Sequence, residues 1–171
     1  ERKGLTIYVG SKAGELAKSS AGQSFIVVET PAGPKNIPVK RVLVATGIQA
    51  NTENLGLEDL GVQLDRGFVK VDDDLKTNID NVFAIGDVTG IMPLAHVAQA
   101  QGTYLAESLA GKNAYPLDYQ SMPSAVYSTP QVASFRITEQ QAIEQGIEHA
   151  VGRFPFLANG KALALDEIEG L

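Results

Sequence analysis

Asn81-Val82-Phe83-Ala84-Ile85-Gly86-Asp87 narrows the choice of fold more than any other stretch of this chain. Its apolar run, built from β-branched and aromatic residues, predicts a strand buried on both faces. The run stops at Gly86, which leaves space, and at Asp87, which puts a carboxylate at the end of the strand. In open α/β sheets that carboxyl edge is where ligands bind. A carboxylate there can accept a hydrogen bond from a sugar or polyol hydroxyl. An Asp in the same place can equally turn the chain and cap the next segment. Position alone leaves both readings open.

The next stretch of chain adds weight to the ligand reading. After Gly90 and Pro93 the spacing predicts a helix, with Leu94, Val97, Ala98, Leu105 and Leu109 on one face and Gly111 as its C-terminal cap. Ile91-Met92-Pro93-Leu94-Ala95-His96 forms its start. A helix N-terminus has unpaired N–H groups and partial positive charge, so it can hold an anion or an electron-rich ring edge. His96 invites a catalytic role, but a lone His in a first turn is more often packed or capping. A ligand between Asp87 and this helix start would have hydroxyls held at one end and a polar ring edge at the other.

Elsewhere the pattern alternates between short strands and turns. Residues 5–9, 24–29 and 37–44 predict an antiparallel meander, broken at Thr30-Pro31-Ala32-Gly33-Pro34. Its last strand, Arg41-Val42-Leu43-Val44-Ala45, is apolar enough to be buried on both faces. It runs through Thr46 to Gly47, where a ligand or another backbone could approach closely; a plain core strand ending in a turn fits as well. Residues 49–65 read as loop, with a hairpin around Val69–Val71 and a polar linker over 112–121. A third region opens with a strand at Ala125-Val126-Tyr127. Thr138-Glu139-Gln140-Gln141 is a capping box whose helix should end at Gly146, and residues 150–156 predict another strand.

Composition removes several function classes. A net charge of -6 argues against nucleic acid, which needs a basic face. No apolar run approaches the length that spans a bilayer, so no membrane segment is expected. The chain has no cysteine, which excludes disulfides, thiolate zinc sites and Cys nucleophiles within these 171 residues. Glu1-Arg2-Lys3 leads into a short mixed segment rather than the apolar core of a signal peptide, and a cytoplasmic setting is the expectation.

Taken in order, these motifs resemble the pyridine nucleotide–disulfide oxidoreductases. Val42–Gly47 looks like that family's Ala-Thr-Gly strand at the end of the NAD domain. Thr77–Asp87 looks like its second FAD motif, and Leu94-Ala95-His96 is similar to the helix start beneath the flavin. Pro123–Ser134 resembles the opening of the dimerisation domain. Phe154-Pro155-Phe156-Leu157-Ala158-Asn159-Gly160-Lys161-Ala162 resembles a later segment and favours the dihydrolipoamide branch over the glutathione, mercuric or peroxide reductases.

The resemblance implies a mixed α/β chain: partial FAD/NAD(P)-binding Rossmann-like domains followed by the start of an α+β dimerisation domain. It implies the end of the NAD domain over 1–48, the second part of the FAD domain over 49–116, and the first part of the interface domain over 117–171. Asp87 would bind the ribityl chain of FAD with Gly86 giving it room. Leu94, Ala95 and His96 would lie at the flavin, the Ala95 N–H facing its pyrimidine edge, and Gly47 would lie beside NAD. Partners implied are a second copy, forming a homodimer, and the lipoyl domains of 2-oxo acid dehydrogenase complexes.

Some positions depart from the family pattern. Gln49 and Ala50 stand where an Arg and a Pro are usual, which puts a cationic contact to NAD there in doubt, and Arg136-Ile137 replaces a Gly-Leu pair. There is no Gly-x-Gly-x-x-Gly, no redox Cys pair and no His-bearing tail. The resemblance therefore implies a piece of a longer enzyme, inactive by itself. A stand-alone assembly module is the competing expectation, since partial domains would leave apolar faces uncovered.

Overall fold

The computed structural model describes Gly4–Leu171; the lead-in Glu1-Arg2-Lys3 lies outside the described residues. The fold is mixed α/β and divides into two compact units, one up to Ile48 and one from Gln49 to Leu171.

The first unit is an antiparallel meander of β1 (Lys12–Lys18), β2 (Ser24–Thr30) and β3 (Gly33–Pro38), in that spatial order. The β1–β2 turn sets the register. Ser19 N–H donates to the Gln23 carbonyl at 2.9 Å and Gly22 N–H to the Ser19 carbonyl at 2.9 Å. Pairing Lys18 with Ser24 then makes the seven residues before the turn a strand, despite their polar composition. The strand expected over 5–9 does not form, and Leu5, Ile7 and Val9 are exposed. Turn geometry outweighs β-propensity here.

The buried strand expected at Arg41–Ala45 is absent too. The chain there is irregular, and Leu43 is 91% exposed. A strand buried on both faces needs strands on either side and layers above and below. Among the described residues none lies alongside.

In the second unit a hairpin joins β4 (Leu64–Asp65) to β5 (Phe68–Val69). Its two-residue loop, Arg66-Gly67, has φ of 49° and 88°, a left-handed pair that matches the twist of the strands. The pairing lies slightly before the position expected from sequence. Asn78 clips the neighbouring loop: its Nδ2 donates to the Gly61 carbonyl at 2.8 Å and its Oδ1 accepts from Gln63 N–H at 2.8 Å. The strand expected at Asn81–Ile85 is reduced to one bridge, Lys76 to Phe83. Like Arg41–Ala45, this apolar run has no neighbouring strand among the described residues.

The expected helix is present as α1 (Ala95–Leu109). Its end is the Gly111 cap: Gly111, at φ 71°, donates to the Ser108 carbonyl and Lys112 to the Glu107 carbonyl, both at 3.0 Å. The buried face is rotated from the expected one. Val97, Gln101 and Tyr104 are buried, while Leu109 is 65% exposed. Val62, Val69 and Leu75 are the other buried apolar side chains of this stretch.

Further on, β6 (Ser124–Val126) pairs antiparallel with β7 (Val132–Ser134). The helix α2 (Glu139–Glu144) begins with the expected capping box at Thr138 and Gln141. It ends at Gly146, which has φ 66°. Residues 150–156 form no strand. A short turn at Phe156–Ala158 leads instead into α3 (Gly160–Leu165), whose first N–H groups donate to the Asn159 side chain at 3.0 and 3.1 Å. A good N-cap wins over the apolar run that suggested a strand.

Thr138→Ala, which removes one side of the capping box, is expected to cost about 1 kcal/mol in denaturant unfolding. Gly90→Ala is expected to cost more, on the order of 2 kcal/mol. Gly90 has φ 68°, and an added Cβ would lie 2.8 Å from the Phe68 ring. Phe68→Leu in the same chain should return part of that loss.

Candidate functional site

Gly86–Thr89 forms a single tight turn just before α1. Gly86 has φ 77°, and a Cβ there would sit 3.3 Å from that of Ala98, so α1 packs closely against the turn. Both ends of Gly86 are held. Its N–H donates to Gln101 Oε1 at 2.6 Å, and its carbonyl accepts from the Thr89 hydroxyl at 2.8 Å. The Asp87 carbonyl accepts from Gly90 N–H at 3.0 Å. The Asp87 side chain is exposed and makes no hydrogen bond or ion pair among the described residues.

Leu94, half-buried and extended at φ -131°, precedes α1 with no side chain capping it. Its carbonyl takes the N–H groups of Val97 and Ala98 at 3.0 Å. Among the described residues the N–H groups of Ala95 and His96 meet no acceptor. The positive end of the helix is thus open to a ligand. His96 is exposed, and its Nε2 lies 2.9 Å from the Pro123 carbonyl, tying the helix start to the chain entering β6. Its ring is engaged in structure, while its N–H is free.

The second unit therefore brings Gly86, Asp87, Leu94, Ala95 and His96 to one turn and the helix start beyond it. Gly47 belongs to the first unit. It is exposed at φ 131°, with open space where a Cβ would be.

Gln101 is the residue that sequence reading missed. It is 1% exposed, and Nε2 donates to the Tyr119 hydroxyl at 2.9 Å while Oε1 holds Gly86. A buried amide left unpaired would cost about 1–3 kcal/mol, more than a typical hydrogen bond gains, so satisfying both ends decides where this side chain goes. The available signal was a polar residue one turn after Val97 on the same helix face.

Another clasp anchors α1 further along. The Tyr104 hydroxyl donates to Asp74 Oδ1 at 2.7 Å, and Lys76 Nζ reaches Asp74 Oδ2 at 3.0 Å. The Tyr104 hydroxyl, and then the Lys76 ammonium, hold the Asp74 carboxyl below its ordinary range. The same bond to Asp74 raises the Tyr104 phenol. Asp118 is held low chiefly by the Ser121 hydroxyl, and it caps the short turn that presents Tyr119. Among the described residues no group of His, Asp and Glu is placed to hold a metal, and no helix is long and apolar enough to cross a membrane.

Chemically, the turn and the helix start offer a free carboxylate for hydroxyl donors and two free N–H groups for an electron-rich edge. Small residues at Gly86 and Ala95 keep the approach open. The donor set fits a ligand carrying both a polyol chain and a polar ring, as FAD does.

Solved structures share this fold. LpdA of Mycobacterium tuberculosis matches with a TM-score of 0.76 at 28% identity, over 96% of this chain and 35% of that one. The HOCl-induced flavoprotein disulfide reductase RclA of Escherichia coli matches with a TM-score of 0.76 at 27% identity, over 93% and 36%. The fold is thus that of the flavoprotein disulfide reductases. Residues 1–102 match the pyridine nucleotide-disulphide oxidoreductase model and residues 122–171 match that family's dimerisation domain, so the chain belongs to the pyridine nucleotide-disulphide oxidoreductase family. A dihydrolipoyl dehydrogenase of Rhizobium etli is 45% identical over all of this chain and 36% of its own length. One from Bacillus subtilis is 42% identical over 85% of this chain and 31% of its own. The chain spans about a third of the length of the curated relatives it matches.

The Asp74 clasp has a pH signature. Its lowered carboxyl stabilises the fold fully above the ordinary carboxylate pKa, and that contribution is lost as pH falls through the lowered value. Tyr104→Phe should move the Asp74 titration upward, seen in its side-chain NMR shifts, and should lower stability at neutral pH while flattening the part of the acid-induced loss that this carboxyl contributes.

Proposed function

We propose that these residues are part of a flavoprotein disulfide oxidoreductase that oxidises protein-bound dihydrolipoamide with NAD⁺. In the net reaction the dithiol gives up two electrons and two protons to become a disulfide; NAD⁺ takes a hydride and one proton is released. The observation that carries the reading is the free Asp87 carboxylate followed by the open start of α1, in a chain 45% identical to a dihydrolipoyl dehydrogenase.

Asp87 would accept hydrogen bonds from the ribityl hydroxyls, with Gly86 leaving room beside it. The Ala95 N–H would face the pyrimidine edge of the flavin, with Leu94 and His96 flanking it. There the α1 dipole favours negative charge. Bound FAD would supply the two-electron carrier between the dithiol and the nicotinamide. Gly47 would lie beside NAD, where its missing side chain lets the cofactor approach.

Seams near residues 48 and 117 would separate the end of the NAD domain, the second part of the FAD domain and the start of the interface domain. The compact unit ending at Ile48 supports the first seam. The dimerisation-domain match over residues 122–171 supports the second, and a homodimer. Lipoyl domains are the proposed substrate carriers and the cytoplasm the proposed setting. The Cys pair would lie outside these residues, so this chain alone should not turn over.

The likeness to the HOCl-induced reductase favours a second reading, a related disulfide or metal reductase on the same fold. The full-length gene product is expected to carry FAD, visible in its absorption spectrum, and to reduce NAD⁺ with dihydrolipoamide. Activity with glutathione disulfide, peroxide or mercuric ion instead would select the second reading. Asp87→Ala in that protein should weaken FAD binding about tenfold, read from flavin fluorescence on dilution.

A further inference from the structure

Gln101 is the most buried polar side chain among the described residues, at 1% exposure. It does not face the ligand groups themselves. Its amide lies behind them, between the Gly86 turn and the segment that leads to β6. Oε1 accepts from Gly86 N–H at 2.6 Å, and Nε2 donates to the Tyr119 hydroxyl at 2.9 Å. The Thr89 hydroxyl holds the Gly86 carbonyl at 2.8 Å. Gly86 is thereby fixed at φ 77°, and the next peptide carries Asp87. The Tyr119 end is itself anchored, because Asp118 caps its turn by accepting from Gln120 N–H at 3.0 Å.

We propose that Gln101 is a positioning residue for the flavin site: it holds Gly86 in the conformation that presents the Asp87 carboxylate, and it registers that turn against Tyr119. The inference rests on the flavoprotein reading. Two features separate it from plain packing. The contact to Gly86 is a hydrogen bond to backbone at the residue next to the ligand group. It also needs an acceptor at that point, not merely bulk.

The test uses the full-length flavoprotein with Gln101→Leu and Gln101→Glu, measuring the FAD dissociation constant alongside the thermal midpoint of the apoprotein. Leu keeps the volume but cannot accept from Gly86, so FAD binding should weaken about tenfold or more. Glu keeps an acceptor for Gly86 and offers its second oxygen to the Tyr119 hydroxyl, which turns to donate. Its FAD affinity should stay within about threefold of the unmutated protein. A packing role predicts the reverse, with apolar Leu tolerated and a buried charge not. Leu retained and Glu lost would overturn the proposal. So would both variants losing FAD in step with a falling apoprotein midpoint. If the unmutated protein holds no FAD, the flavoprotein reading falls first and takes this inference with it, a result visible before any variant is made.

Discussion

A buried amide must have partners, and in this chain that requirement holds the candidate site of the second unit together. Gln101 lies within the apolar stripe of α1, between Val97 and Tyr104, where water cannot satisfy it. Its two ends are met by Gly86 and Tyr119, so one helix position couples the turn before α1 to the chain after it. Thr89, Gly90 and the Phe68 ring then close the turn from the other side. The result is a small rigid support with two unsatisfied features at its surface: a free carboxylate and a free helix start.

That division between satisfied interior and unsatisfied rim is what a binding site needs. Groups with protein partners hold geometry, and groups without them are free to meet a ligand. Asp87, Ala95 and His96 N–H fall in the second class. The His96 ring falls in the first, because it is turned to the Pro123 carbonyl. The Tyr104–Asp74–Lys76 clasp works at greater distance, tying α1 to the loop before the Lys76–Phe83 bridge. As a partly exposed ion pair it adds little by charge alone, and its weight comes from the phenol hydrogen bond.

Two apolar runs behave alike and for one reason. Val42–Val44 and Val82–Ile85 have the composition of strands inside a covered sheet. Neither forms more than an isolated bridge here. Burial on both faces is a property of a sheet with neighbours and layers, not of a segment. The family match over residues 1–102, with about a third of the relatives' length present, agrees with runs adapted to surroundings beyond these residues.

Local chemistry was legible in the sequence wherever a side chain and a nearby backbone group decide the outcome. The Thr138 capping box, the Gly111 and Gly146 helix ends and α1 itself need only a few neighbouring residues, and all are present. Family membership was legible too, because motif order along the chain survives without contacts. Tertiary structure alone decided which face of α1 is buried, since hydrophobic spacing favoured Leu109 whereas packing against the turn selected Gln101. It decided that β1 lies at Lys12–Lys18, through a turn register that propensity does not encode. And it left the two apolar runs without strand partners beyond the Lys76–Phe83 bridge, because a strand's partners lie far away in sequence and no residue in the run can supply them.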